Sequence, residues 1–171
     1  GGLFQYWEAK EADDVQHYRI TGRAAHIREF GHQGNAWMRG TKADIWEGGH
    51  REPFIVRWPA VVQADSLCNA TVCLSDFLAT LAEILGVELP GQAAEDSFSL
   101  LPLLTGGDSA AWHRAPVIHH SLSGMFSVRQ GRWKVILGLG SGGFSEPKQG
   151  YSVQPDAPEG QLYDMVEDWR E

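Results

Sequence analysis

The stretch 39-RGTKADIWEGGHREPFIVRWP-59 decides how the chain reads. It places a single lysine, Lys42, just ahead of a corner whose Gly48 and Gly49 permit either positive φ or close backbone approach. After Pro53 the apolar residues Phe54, Ile55, Val56 and Trp58 predict a short buried strand closed by Pro59. A cation held beside such a corner is pre-positioned. At an effective dielectric near 20, a unit charge about 4 Å from an anion contributes about 4 kcal/mol. That is enough to matter where negative charge builds up on a substrate oxygen.

Working outward, 75-SDFLATLAEILG-86 spaces Phe77, Leu78, Leu81, Ile84 and Leu85 along one helical face, with Ser75 as the expected cap and Gly86 as the stop. A shorter helical piece is predicted in 97-SFSLLPLLTG-106, interrupted by Pro102 and closed by Gly106 and Gly107. The period then changes. The runs 116-PVIHH-120, 126-FSVRQGRWKVIL-137 and 161-QLYDM-165 predict strands, with Gln130, Gly131 and Arg132 turning the middle run into a hairpin. Residues 138–160, rich in Gly and Pro, predict a surface loop. Residues 1–40 carry no sustained period beyond a short helix expected near 10–16. The aromatic residues Trp58, Phe77, Phe98, Trp112 and Trp133 are expected in the core.

Composition bounds the function. A chain of 171 residues supports one sizeable core, and no apolar run approaches the length of a membrane span. A formal charge of -8 excludes a broad basic surface for nucleic acid, so any anionic ligand must be attracted locally. Cys68 and Cys73 fit no zinc or redox spacing and are expected as small packing residues. The chain opens at Gly1 without Met or signal peptide and ends in the polar 167-EDWRE-171, which leads us to expect a truncated chain.

The opening segment resembles the lysine segment of the type I sulfatases, the arylsulfatase-like branch of the alkaline phosphatase superfamily. The family's form is close to Arg-Gly-x-Lys-x-x-x-(Trp/Tyr)-Glu-Gly-Gly-x-Arg-x-Pro. Arg39, Gly40, Lys42, Trp46, Glu47, Gly48, Gly49, Arg51 and Pro53 all match it. Further likenesses follow the chain. Residues 75–86 resemble the family's Asp-Leu-x-Pro-Thr-Leu helix, with Ala79 where Pro is usual. Residues 96–106 resemble its Asp-(Gly/Ser)-x-Ser-Leu-x-Pro-Leu-Leu stretch, and 126–137 and 161–168 resemble its C-terminal strands.

The resemblance implies an α/β fold, the C-terminal part of an alkaline-phosphatase-like sulfatase ending in a small antiparallel sheet with helical cover. Residues 1–110 would close the catalytic domain, incomplete at its N-terminus, and 111–171 would form the antiparallel subdomain. It implies hydrolysis of sulfate esters, sulfated carbohydrate among them, with Lys42 touching the sulfate. It also implies a calcium ion and a formylglycine nucleophile. Neither Cys68 nor Cys73 stands in the family's Cys-x-(Pro/Ala)-x-Arg setting, and no Asp-Asn pair is present. Both groups are therefore expected outside this chain, on a missing N-terminal part of the same protein, and the fragment alone is expected to be inactive. The setting implied is periplasmic, secreted or lysosomal.

Three histidines are further candidates to line the substrate pocket: His32 and His50, which flank the lysine, and His120. His119 and His120 are adjacent on a strand and must point to opposite faces, so they cannot share one metal. Glu47 and Arg51 are expected to form an internal ion pair that steadies the corner. Tyr18, Arg19 and Arg23 read as a surface loop. Two other functions stay open: a phosphodiesterase or phosphonate hydrolase of the same superfamily, and a non-catalytic module that binds anionic glycan.

Overall fold

The computed structural model describes residues 35–148 and 158–171. The helix expected near 10–16, Tyr18, Arg19, Arg23 and His32 lie outside the described residues. The described chain forms two units by packing: 35–53 with 118–148 and 158–171, and, separately, 54–117. The Lys42 segment thus folds with the C-terminal strands. Among the described residues, no helix is long and apolar enough to cross a membrane.

The first unit is built on a four-stranded sheet of β1 (Val117–His120), β2 (Phe126–Gln130), β3 (Trp133–Ile136) and β4 (Gln161–Asp164), in the order β1-β2-β3-β4. The predicted strands form where expected. Gln130 faces Trp133 across a tight turn in which Gly131 takes φ +54, a conformation that favours glycine. The surprise is which side points in. Ser127 pairs with Ile136, Arg129 with Lys134, and Lys134 with Tyr163, so these side chains share one face. Ser127, Lys134 and Ile136 on it are fully buried.

The opposite face carries Phe126, Val135 and Leu162, together with Trp133, which is 50% exposed. The sheet therefore turns its polar side toward the segment 35–53 and its apolar side away. Its small apolar core is Ile45, Trp46 and Ile136, with Met125 and Tyr163 packed against them. Trp133 belongs to the outer face, not to the core as expected.

In the second unit, helix α2 (Asp76–Leu85) forms as its periodicity predicts and stops at Gly86, whose φ of +63 lets its N–H reach the carbonyls of Ala82 and Glu83. Its start differs from expectation, since Ser75 makes no side-chain cap and donates to the Asp96 carbonyl instead. Asp76 organises this end. Its buried carboxylate accepts from the Cys73 and Phe98 amides and pairs with Arg114 at 2.5 Å. The face this helix buries is the polar one of Asp76 and Thr80, the Thr80 hydroxyl accepting from the Leu100 amide. Phe77, Leu78, Leu81 and Leu85 are exposed.

Helix α3 (Leu101–Leu104) begins with Pro102 in its first turn, where a missing N–H costs nothing, so the proline starts the helix rather than interrupting it. The run 53–59 forms no strand, and Ile55 is 90% exposed, so the expected buried strand is absent. Cys68 is likewise exposed rather than packed.

Candidate functional site

The corner that carries Lys42 is a set of interlocked backbones. Thr41, Lys42, Ala43 and Asp44 form a turn closed by the Asp44 N–H on the Thr41 carbonyl at 3.0 Å. Ala43 takes φ +84, the positive value that the third residue of a type II turn requires. An alanine held there costs on the order of 1–2 kcal/mol, so the surroundings must impose it.

They do so from three sides. The Ala43 carbonyl accepts from the Leu122 amide at 2.9 Å, and the Ile45 amide donates to the Ser141 carbonyl at 2.8 Å. The one-turn helix α1 (Glu47–His50) closes the third side. A Cβ on Gly49 would lie 2.2 Å from the Asp44 carbonyl oxygen, and one on Gly48 would lie 2.3 Å from that of Gly40. Of the two readings of the glycine pair, close approach is the one observed. Asn35 completes the corner, donating its side-chain amide at 3.0 Å to both the Gly40 and the Gly48 carbonyls.

Lys42 itself is exposed, and its ammonium has no hydrogen bond or ion pair among the described residues. The backbone around it is tied and the side chain is free. This arrangement presents a positive charge from a rigid mount, open to an incoming anion.

Behind the corner lies a buried ionic group. Lys134 of β3 is fully buried and reaches Glu47 at 3.1 Å and Glu171 at 2.5 Å. Burial pushes the Glu47 carboxyl up, but the charge and hydrogen bond of Lys134, with Arg129 and Arg51 farther off, overcome it and hold Glu47 below the usual range. Glu171 moves the other way, raised chiefly by burial with Lys134 in opposition. The partner of Glu47 is therefore Lys134 and not Arg51 as expected. Arg51 caps α1 on the exposed side, whereas Lys134 projects from the sheet face that α1 covers. Arg39 adds a second brace, stacking 3.8 Å over the Trp46 ring and donating to the Glu171 carbonyl at 3.0 Å.

Of the candidate histidines, His50 and His120 are described and stand in different settings. His50 packs against His119, with ring centroids 4.1 Å apart, and both Nε2 atoms are buried without a hydrogen-bond partner among the described residues. Each ring is pushed down to about 4, first by burial and then by neighbouring positive charge: Lys134 for His50, and His50 with Lys134 for His119. His120 lies on the other face of β1, exposed, with its ring edge toward Phe126. The structure thus joins His50 to His119 and separates both from His120.

Two features of the site escape a reading of the sequence. Within the expected surface loop, Gly140, Ser141 and Gly142 are instead buried against the corner, while 146–148 are exposed. Asp44 is fully buried and accepts four hydrogen bonds. Among the described residues no group of three or more His, Cys, Asp or Glu could hold a metal ion, so these residues do not fit a calcium site.

No protein-family model matches the chain. Curated relatives do. Over 112 residues the chain is 34% identical to steryl-sulfatase of Homo sapiens, covering 62% of this chain and 19% of that protein. Over 106 residues it is 37% identical to the N-acetylgalactosamine-6-O-sulfatase of Bacteroides thetaiotaomicron, covering 62% and 20%. The chain is a homologue of the sulfatases. The chain also superposes on a solved structure from work on the metabolism of multiple glycosaminoglycans by Bacteroides thetaiotaomicron. That match has a TM-score of 0.67 at 31% identity and covers 86% of this chain and 30% of the other. Its fold is accordingly the C-terminal part of the alkaline-phosphatase-like sulfatase fold, ending in the antiparallel sheet. The segment spans about a fifth of the length of the curated relatives it matches.

Proposed function

We propose that the protein to which this chain belongs is a sulfuric ester hydrolase, and that the chain supplies Lys42 as the cation that meets the sulfuryl oxygens. The observation that supports this is the Lys42 ammonium, unpartnered among the described residues, on a turn tied at Thr41, Ala43, Asp44 and Ile45. As the S–O bond breaks, negative charge grows on the departing oxygen and is shared by the sulfuryl group. A cation already in place stabilises that charge without having to reorganise. The nucleophile and the metal ligands of this proposal come from residues outside the chain. Sulfated carbohydrate is the substrate class supported by the bacterial relative and the structural neighbour. The exported or lysosomal setting implied by the resemblance suits such a substrate.

The test uses the full-length protein with an aryl sulfate and the matching aryl phosphate diester. Sulfate hydrolysis should dominate, and Lys42→Ala should lower kcat at least about a hundredfold with unchanged thermal stability, since the side chain is exposed. Near-normal turnover by that variant would remove Lys42 from the chemistry. Preference for the phosphate diester would favour the related phosphodiesterase reading. Salt-sensitive binding of sulfated glycan without turnover would favour a binding module.

A further inference from the structure

Asp44 stands two residues from the proposed sulfate-binding lysine, where a carboxylate would ordinarily weaken an anion site. Its geometry shows why it need not. One oxygen, Oδ2, accepts from the Thr41 amide at 2.8 Å and from the Ser145 hydroxyl at 2.5 Å. The other, Oδ1, accepts from the Phe144 amide at 2.7 Å and the Ser145 amide at 3.0 Å. Four donors engage a fully buried carboxylate, so its charge is directed to these donors and not to Lys42.

Those donors come from two segments about a hundred residues apart in sequence. One is the turn that carries Lys42. The other is 143–145, seated so closely that a Cβ on Gly143 would lie 2.4 Å from both the Ala43 carbonyl oxygen and Asp44 Oδ1. Without the Asp44 carboxylate, the Thr41, Phe144 and Ser145 amides would lose the acceptor that joins them. The positive φ of Ala43 would then have less to impose it.

We propose that Asp44 is a positioning residue for Lys42: its carboxylate clamps the lysine turn to segment 143–145, so that the cation and this segment form one rigid wall of the sulfate site. The inference rests on the function proposed for Lys42. Its reach is wider than one residue, because it makes 143–145 part of what aims the charge.

A double-mutant cycle in the full-length enzyme tests it. Asp44→Asn, which keeps size and removes charge, should lower kcat about tenfold or more with KM changed much less. Hydrogen exchange should show the Thr41, Phe144 and Ser145 amides losing protection together. In a Lys42→Ala background the same replacement should change kcat less than about twofold, since there is no longer a cation to aim. Ser145→Ala, which removes one of the four donors, should give a smaller loss with the same dependence on Lys42 if Asp44→Asn fails to fold. An equal loss in both backgrounds would overturn the clamp, leaving Asp44 a purely structural residue while the role of Lys42 stands. No effect from Lys42→Ala alone would instead remove the function on which the inference rests.

Discussion

The Lys134 ammonium sits 3.1 Å from the Glu47 carboxylate, linking the buried face of β3 to the one-turn helix that closes the lysine corner. With Glu171 on its other side, this cation is shared by two carboxylates of opposite pKa displacement. The corner's foundation is therefore electrostatic.

Removing that cation should be costly. Lys134→Met leaves Glu47 and Glu171 buried without a counter-charge, and loss of one member of a buried ion pair typically costs about 3–5 kcal/mol. Adding Glu47→Gln should restore part of the loss. Urea unfolding of both variants checks this; a loss under about 1 kcal/mol for the single variant would mean that water already screens the group.

Acid should destabilise the fold through the two stacked histidines. His50 and His119 titrate near 4 in the folded protein against about 6.5 when unfolded. Between those values the unfolded chain binds protons that the folded one refuses, so stability rises with pH across the window. Their contribution is fully present above about 6.5 and fades as pH falls toward 4. Glu47, held low, acts in the same direction at lower pH; Glu171, held high, opposes, losing its contribution as pH rises through its folded value. Melting temperature should drop from about pH 7.5 to about pH 5, and His50→Gln with His119→Gln should flatten that drop. Parallel slopes for the two proteins would exonerate the histidines.

The glycine corner should tolerate no side chain. Gly49→Ala would press a methyl group to 2.2 Å from a backbone oxygen, whereas Gly131→Ala, in the hairpin, meets nothing within 4 Å and bears only its positive φ. The first should cost at least twice the second, which should lose about 1–2 kcal/mol. Denaturation midpoints at equal slope compare them directly. Equal losses would show that the corner can spread.

Much of this arrangement is legible in the sequence, and the failures have physical reasons. The strands, the hairpin turn and the helix 76–85 announce themselves through short-range periodicity. Lys42 and its glycines announce themselves through a motif. Orientation is not legible, because alternation in 126-FSVRQ-130 and 133-WKVI-136 says that the two faces differ and not which one is covered. Hydrophobicity suggests the wrong side, since Ser127, Arg129 and Lys134 face inward. Nor can the partner of Glu47 be read, for it lies 87 residues away and a nearer arginine is on offer. Asp44 matches no motif, and its four donors meet only in three dimensions.

The inward-facing polar strand residues have a calorimetric consequence. A unit whose described interior mixes ammonium, imidazole and hydroxyl groups with only a small apolar core of Ile45, Trp46 and Ile136, and whose other described apolar side chains are largely exposed, has comparatively little hydrocarbon left to hydrate on melting. Heat capacity should therefore climb less per residue on unfolding than the usual ~12–15 cal/mol/K, and the stability curve should be unusually flat with temperature.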